Sequence, residues 1–307
     1  MRIHLPNLAL FSDSRICHSV FTYHAHNEIF MDDVCRQIGD FQVTALSDGS
    51  MVASLALLSG IDVTDAGEIQ HGAGITDPDS LHIFGYLIRG RGRTILVDSG
   101  TGGANGIGGQ LQTNLLACGV MPDEVDTVLL THAHPDHIGG LLDEKGEAMY
   151  PRAHLYLHPD ELGYWLDDNL MAQANERQQR NFERARRTLS AYQARLHLLD
   201  ESPIVEGIRA VPLPGHTPGH TGFRIDSRQS SLIIWGDIVH FPFIQTARPD
   251  VTIAFDIDPA QAQASRKRIL AQIAEEGMLV AGMHFAGTGF AQVYSVGSGY
   301  RIVYSQA

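Results

Sequence analysis

Thr131-His132-Ala133-His134-Pro135-Asp136-His137-Ile138-Gly139-Gly140 packs three imidazoles and one carboxylate into an H-x-H-x-D-H run. Apolar Val128-Leu129-Leu130 precedes it and predicts a strand, and Ile138 to Leu142 can open a helix. His132 and His134 alternate, so they fall on one side of an extended segment. Asp136 and His137 then sit on the turn, free to aim at a second point. Neutral imidazole suits zinc, copper, iron or nickel, and a carboxylate adds charge and favours harder ions. A cluster this dense points to a metal site rather than an incidental His-rich loop.

The run resembles the signature of the metallo-β-lactamase fold superfamily. That resemblance implies three more ligands in the order His, Asp, His. Pro214-Gly215-His216-Thr217-Pro218-Gly219-His220, Leu232-Ile233-Ile234-Trp235-Gly236-Asp237 and Leu279-Val280-Ala281-Gly282-Met283-His284 supply them, each after an apolar run. The likeness spans residues 41–305. It implies an α+β protein, an αββα sandwich of two stacked mixed sheets flanked by helices. Residues 41–307 would form one catalytic domain, with residues 1–40 an N-terminal arm or oligomer contact. Composition and periodicity alone indicate only mixed α and β.

The same resemblance assigns His132, His134 and His216 to one metal site and Asp136, His137 and His284 to a second, with Asp237 bridging. The implied cofactor is two divalent ions, zinc by default, with manganese, iron or cobalt also compatible with carboxylate ligands. The implied chemistry is hydrolysis of a lactone, aryl ester or phosphotriester by a metal-bound hydroxide, with Asp136 or Asp237 moving the proton. A non-catalytic binding protein on the same scaffold, a mononuclear iron persulfide dioxygenase and a thioester hydrolase are the alternatives. His220 reads as a hydrogen-bonding support for its neighbours, and Asp98 either as a ligand-orienting residue or as a turn cap.

Within the superfamily, Phe41 to Gly49, Tyr164 to Asp168 and Trp235 to His240 are most similar to the branch of N-acyl-homoserine lactonases and methyl parathion hydrolase. One departure concerns the pocket. The quorum-quenching lactonases place a Tyr three residues past the bridging Asp, and here that position is His240, a candidate catalytic residue. Phe285-Ala286-Gly287-Thr288-Gly289 also departs from the family's Pro-rich stretch. Phe241, Phe243 and Phe255 follow Asp237 in an apolar loop and, with Trp165 facing them, are expected to wall a substrate pocket.

The chain has 307 residues, 44% of them apolar, enough for a sizeable core. Its formal net charge of −13 disfavours nucleic acid as a partner. Three cysteines without a C-x-x-C spacing suggest no disulfide framework. No apolar run reaches membrane-spanning length and no leader pattern is visible, so a cytoplasmic homodimer acting on a small ester or lactone is expected.

Further along the chain, Phe41–Leu46 and Met51–Leu55 read as a hairpin about Ser47-Asp48-Gly49, and residues 60–80 as a loop. Residues 171–197 read as the longest helix, with Phe182, Ala185, Leu189, Tyr192 and Leu196 on one face. Its opposite face carries Arg177, Arg180, Arg184 and Arg187, read as a solvated face, or as a lid or dimer surface over the site. Residues 240–256 read as a long loop, and Asp258-Pro259 as the start of a helix ending at Gly277. His24 and His26, in the N-terminal arm, could form a surface metal site.

Overall fold

The computed structural model describes residues 20–22, 28–30 and 34–305; His24 and His26 lie outside them. Among the described residues, two sheets hold most strands. The larger runs Leu196–Leu198, His154–Leu157, Thr127–Leu129, Arg93–Val97, Ser80–Gly90, Phe41–Val52 and Cys35–Ile38. The smaller runs Ile208–Pro212, Thr221–Ser227, Ser230–Ile234, Leu279–Ala281, Phe290–Val296 and Gly299–Tyr304.

Consecutive apolar residues such as Ile95-Leu96-Val97 and Leu232-Ile233-Ile234 are explained by burial on both faces. Ile95 and Val97 point between the sheets and meet Phe223, Leu232 and Ile234. Leu96 points the opposite way, toward Leu115, Phe182 and Leu189 of the outer helices Leu111–Ala117 and Glu176–Ala191. Ile233 packs against Leu270 and Ile273 of the Pro259–Glu276 helix on the other outer side. The result is four layers, helix–sheet–sheet–helix, the expected αββα sandwich. Each fully buried large side chain contributes about 1.5–3 kcal/mol, so these three interfaces dominate stability.

Several local expectations need correction. Phe41–Val52 is one strand, not a hairpin: Ser47-Asp48-Gly49 forms a bulge while both halves stay paired with Ser80–Gly90. The bulge turns the Asp48 carboxylate inward, where it accepts from Thr101 N, Thr101 Oγ1 and Leu111 N. Residues 60–80 contain the helix Val63–Gly72, started by Asp62, whose Oδ1 accepts from Thr64 N. Its buried face is only Ala66 and Gln70, too narrow a stripe to show as periodicity.

The 171–197 segment divides. Asn175 and Gln178 form a reciprocal capping box that starts the helix at Glu176, and Leu196 belongs to an edge strand instead. Among the described residues the longest helix is Pro259–Glu276, capped by Asp258 and closed by Gly277 at φ 62, as the sequence predicts. The 240–256 loop holds a helix, Pro242–Ala247, and a short strand, Thr252–Ile253, paired with Leu58–Ser59. Cys35–Ile38 already belongs to the large sheet, so pairing begins ahead of Phe41. Among the described residues, no helix is long and apolar enough to cross a membrane.

Candidate metal centre and active-site cleft

The chemistry-bearing residues lie just beyond the carboxyl ends of strands, where open mixed sheets generally bind ligands. Arg93–Val97 pairs parallel with Thr127–Leu129, and Ser230–Ile234 pairs parallel with Leu279–Ala281. Asp98 and His132 to His137 therefore leave one sheet together, and Asp237 and His284 leave the other together. His216 follows the strand Ile208–Pro212. Pro135–Ile138 makes a single helical turn that swings Asp136 and His137 inward. Gly139 and Gly140 let this turn press on its neighbour: a Cβ on Gly139 would strike the Thr101 carbonyl, and one on Gly140 the Ser99 carbonyl.

Three groups of potential ligand atoms result, each with its atoms within 4.8 Å of one another: His132, His134 and His216; Asp136, His137, Asp237 and His284; and His216, Asp237 and His240. Asp237 Oδ2 lies 3.1 Å from both His137 Nε2 and His284 Nε2. It is 3.7 Å from His216 Nε2 and 3.9 Å from His132 Nε2, so it stands between the first two groups.

Hydrogen bonds on the far side of each ring fix where the protons are. His137 Nδ1 donates to Asp98 Oδ2 at 2.7 Å, His284 Nδ1 to the His82 carbonyl at 2.8 Å, and His216 Nδ1 to Asp256 Oδ1 at 3.1 Å. Thr131 Oγ1 spends its proton on Asp98 Oδ2, so it accepts from His132 Nδ1 at 3.0 Å. Four Nε2 lone pairs thus point inward. His132 Nε2 and His216 Nε2 face each other at 3.2 Å, and His137 Nε2 and His284 Nε2 face a carboxylate oxygen. Lone pairs gathered on one another and on a carboxylate favour a cation among them, a proton or a metal ion, and His134 Nδ1 lies 2.9 Å from both His132 Nε2 and His216 Nε2. Asp237 Oδ1, buried and without a hydrogen-bond partner, adds to that demand. The donor set fits transition-metal ions.

Burial keeps the first group neutral, the form that ligates. It pushes His132 well below its usual range and His134 and His216 down to about 3 and about 4, with neighbouring imidazoles adding to the effect at His132 and His134. Burial would lower His137 and His284 too, but Asp237 and Asp136 overturn that and raise both. Burial would raise Asp136 and Asp237; the adjacent His137 instead holds both carboxyls below the usual carboxylate range. Cations are thus favoured around Asp237.

Supporting residues surround the centre. Asp98, in the left-handed region at φ 57, accepts from Thr131 N and Thr131 Oγ1 as well as His137. Of its two sequence readings, orienting a ring is the one its contacts match. His220 Nδ1 donates to the Leu213 carbonyl and its Nε2 accepts from Asp237 N at 2.8 Å, which occupies both nitrogens. It holds the Asp237 backbone and faces no ion. The Glu161 carboxylate, fully buried, accepts from Ala133 N, Trp165 Nε1, Gly219 N and Thr217 Oγ1.

A cavity of about 700 Å³ opens over the centre, within the range that takes a small organic ligand. His134, Asp136, His216, Asp237, His240 and His284 form its floor. Residues 80–284 match the metallo-beta-lactamase superfamily, two thirds of the chain.

The chain belongs to the metallo-beta-lactamase superfamily.

Among solved structures of this superfamily's fold, the hydrolase AbOPH shares 32% identity over 89% of this chain and 97% of its own, with a TM-score of 0.83. AidC, a dizinc quorum-quenching lactonase seen with a product, shares 25% identity over 89% of this chain and 97% of its own, also at 0.83. An N-acyl homoserine lactone hydrolase at 18% identity, covering 81% of this chain and 94% of its own with a TM-score of 0.56, shows the fold alone. No curated protein matches the chain by sequence. The superfamily and these neighbours indicate a metal-dependent hydrolase, with His and Asp residues positioned to bind metal.

Of the rings expected to wall a substrate pocket, the structure brings two to the cavity. Trp165 and Phe255 line the cavity, and His240 reaches its floor. Phe241 and Phe243 do not. Phe241 is fully buried among Leu55, Leu58, Ile244 and Val251, and Phe243 packs edge-on against Tyr304 at 5.5 Å. The cause is the Pro242–Ala247 helix, whose first turn carries both rings away from the metal side. Ala104, Asn105 and Ile107, and Arg177, Arg180 and Arg184 of the Glu176–Ala191 helix, also line the cavity. The arginine spacing carried that signal in the sequence; Glu161 and Asp256 had none, because each acts through partners distant in the chain.

Proposed function

We propose that the chain is a binuclear metal-dependent hydrolase of lactones, aryl esters or phosphotriesters. What carries the reading is the inward convergence of four tautomer-locked Nε2 lone pairs on Asp237 and on one another. His132, His134 and His216 would hold one ion, Asp136, His137 and His284 the other, and Asp237 both. Bound divalent ions, zinc first among them, would supply a water ionised near neutral pH and a Lewis acid for the ester oxygen. AidC's two zincs and AbOPH's hydrolase activity, each stated of that protein, support this assignment.

The remaining steps belong to side chains. Asp136 is the carboxylate of the centre most open to the cavity, its side chain 18% exposed against 3% for Asp237. It accepts the proton released by the attacking water and returns it to the departing alkoxide. His240 lies on the cavity floor, where it would meet the substrate carbonyl or leaving group. Phe255 and Trp165 hold the apolar portion and exclude water.

Elemental analysis of protein purified without added metal, paired with a panel of lactones, aryl esters, phosphotriesters and thioesters, tests this. About two transition-metal ions per chain and turnover abolished by chelation are expected. Full esterase activity in metal-free protein refutes the reading, and no turnover on any substrate with metals bound favours a binding protein.

A further inference from the structure

The cavity's charge opposes the protein's. The chain carries a formal net charge of −13, yet among the described residues Asp136 and Asp237 are the only carboxylates lining the cavity, and both belong to the groups that could hold a metal. Apart from the histidines, every other charged residue among the described lining is an arginine: Arg177, Arg180 and Arg184. They fall on one side of the Glu176–Ala191 helix, at spacings of three and four, as neighbours on a helical surface do.

None of the three makes an ion pair with a described carboxylate, although the chain has 35 acidic residues against 22 basic ones. Several other arginines do find carboxylates. Arg91 and Arg228 bind Asp40, Arg93 binds Asp126, and Arg186 of the same helix binds Asp168 at 2.7 Å. The helix thus pairs Arg186 with Asp168 and turns Arg177, Arg180 and Arg184 to the cavity without a described carboxylate beside them.

The placement gives that charge a fixed relation to the centre. The Arg177 guanidinium stacks 5.8 Å from the Phe255 ring centroid, and Phe255 lies 5.8 Å from the His240 ring. Arg177 also sits in the first turns of its helix, where the backbone's unpaired N–H groups add positive potential. From floor to rim the cavity therefore reads metal ligands, an apolar wall, then a guanidinium row.

We propose that the substrate is amphiphilic and anionic: an ester or lactone whose apolar segment lies along Phe255 and whose far end carries a carboxylate or phosphate held by Arg177, Arg180 and Arg184. This rests on the hydrolase reading and narrows it to a substrate class. The rim arginines steer the anion into the cleft and set which end enters first, so they act on kcat/KM chiefly through KM.

Two arms test it with metal-loaded full-length protein. The first compares 4-nitrophenyl hexanoate with the mono-4-nitrophenyl ester of hexanedioic acid, which have the same leaving group and differ at the far end. After correction for spontaneous hydrolysis, the anionic ester is expected to be favoured about tenfold in kcat/KM at low salt, a preference that shrinks as NaCl approaches about 0.5 M. In the R177Q/R180Q/R184Q variant the ratio between the two esters should fall toward one. The second arm needs no turnover: calorimetric binding of hexanedioate against hexanoate, where each has one carboxylate for the metals and only the first has another for the rim. Several-fold tighter hexanedioate binding, lost in the variant, supports the assignment even if no ester is hydrolysed, in which case the hydrolase reading alone fails. Equal affinities, or a preference unchanged by the three substitutions, overturns it.

Discussion

Asp98 Oδ2 lies 2.7 Å from His137 Nδ1, at the end of a carboxylate whose other oxygen accepts from Thr131 N at 2.9 Å. One side chain thus fixes both the tautomer of His137 and the backbone that leads into the metal run. Asp98 holds this position at a positive φ, a conformation that is costly for a residue with a Cβ and persists where its surroundings over-determine it.

Asp98→Asn tests that role. An amide NH₂ facing His137 Nδ1 would shift the ring proton to Nε2 and remove the lone pair that points at the centre. Supporting residues of this kind typically change metal affinity by ~10–100-fold. Competition with a chromogenic chelator should register a loss of that size while the far-ultraviolet spectrum is retained. Undiminished affinity would reduce Asp98 to a turn cap.

Glu161 links the loop of His134 to the loop of His216, since Ala133 N, Gly219 N and Thr217 Oγ1 all donate to it. Burial pushes its carboxyl up, and the four donors oppose that shift. Glu161→Ala leaves these donors unpaired, each at a cost of about 1–3 kcal/mol. Glu161→Gln keeps an acceptor oxygen and should lose less. Melting of the chelated proteins should rank wild type above Gln above Ala; an Ala variant melting with wild type would remove Glu161 from the framework.

The sequence disclosed the site more fully than its surroundings, and the reason is physical. Groups able to hold a metal must be particular residue types, so His132 to His137, His216, Asp237 and His284 stand out in one dimension. The layered sandwich was legible for a similar reason: runs such as Leu232-Ile233-Ile234 read as strands covered on both faces. The long strand Phe41–Val52 was misread because a bulge and a turn share the same Ser-Asp-Gly chemistry, and only the pairing with Ser80–Gly90 tells them apart. Phe241 and Phe243 were misplaced because an apolar residue after a ligand suits a pocket wall or a core equally. The helix turn that carries them into the core shows no marker beyond Pro242.

That last point predicts a separation of effects. Phe241→Ala should cost about 3–5 kcal/mol of stability through the cavity it leaves, with KM of the folded protein little changed. Phe255, half-buried on the cavity wall, should behave oppositely. Phe255→Ala should raise KM for an ester with a long acyl chain by up to ~10-fold, in line with loss of one apolar contact surface, at little cost in melting temperature. Thermal melts and Michaelis–Menten constants on both variants check this. A KM effect from Phe241 and a large stability loss from Phe255 would reverse the assignment of the wall.

His240 offers the sharpest test of how the floor of the cavity works. Its ring stacks on His284 at 5.1 Å and 22°, its Nε2 lies 3.4 Å from Asp237 Oδ2, and its Nδ1 is unpartnered. It also forms one of the three ligand-competent groups, with His216 and Asp237. If it acts on substrate, His240→Ala should lower kcat by ~10²-fold or less, the usual contribution of one group to proton transfer or oxyanion stabilisation. Metal content should stay at wild-type level, because the proposed seven ligands remain. If instead it ligates an ion, the same variant should lose metal, and activity should return as zinc is raised. Inductively coupled plasma analysis alongside kcat and KM separates the outcomes, since only the substrate-facing role predicts a kcat defect that added metal leaves uncorrected.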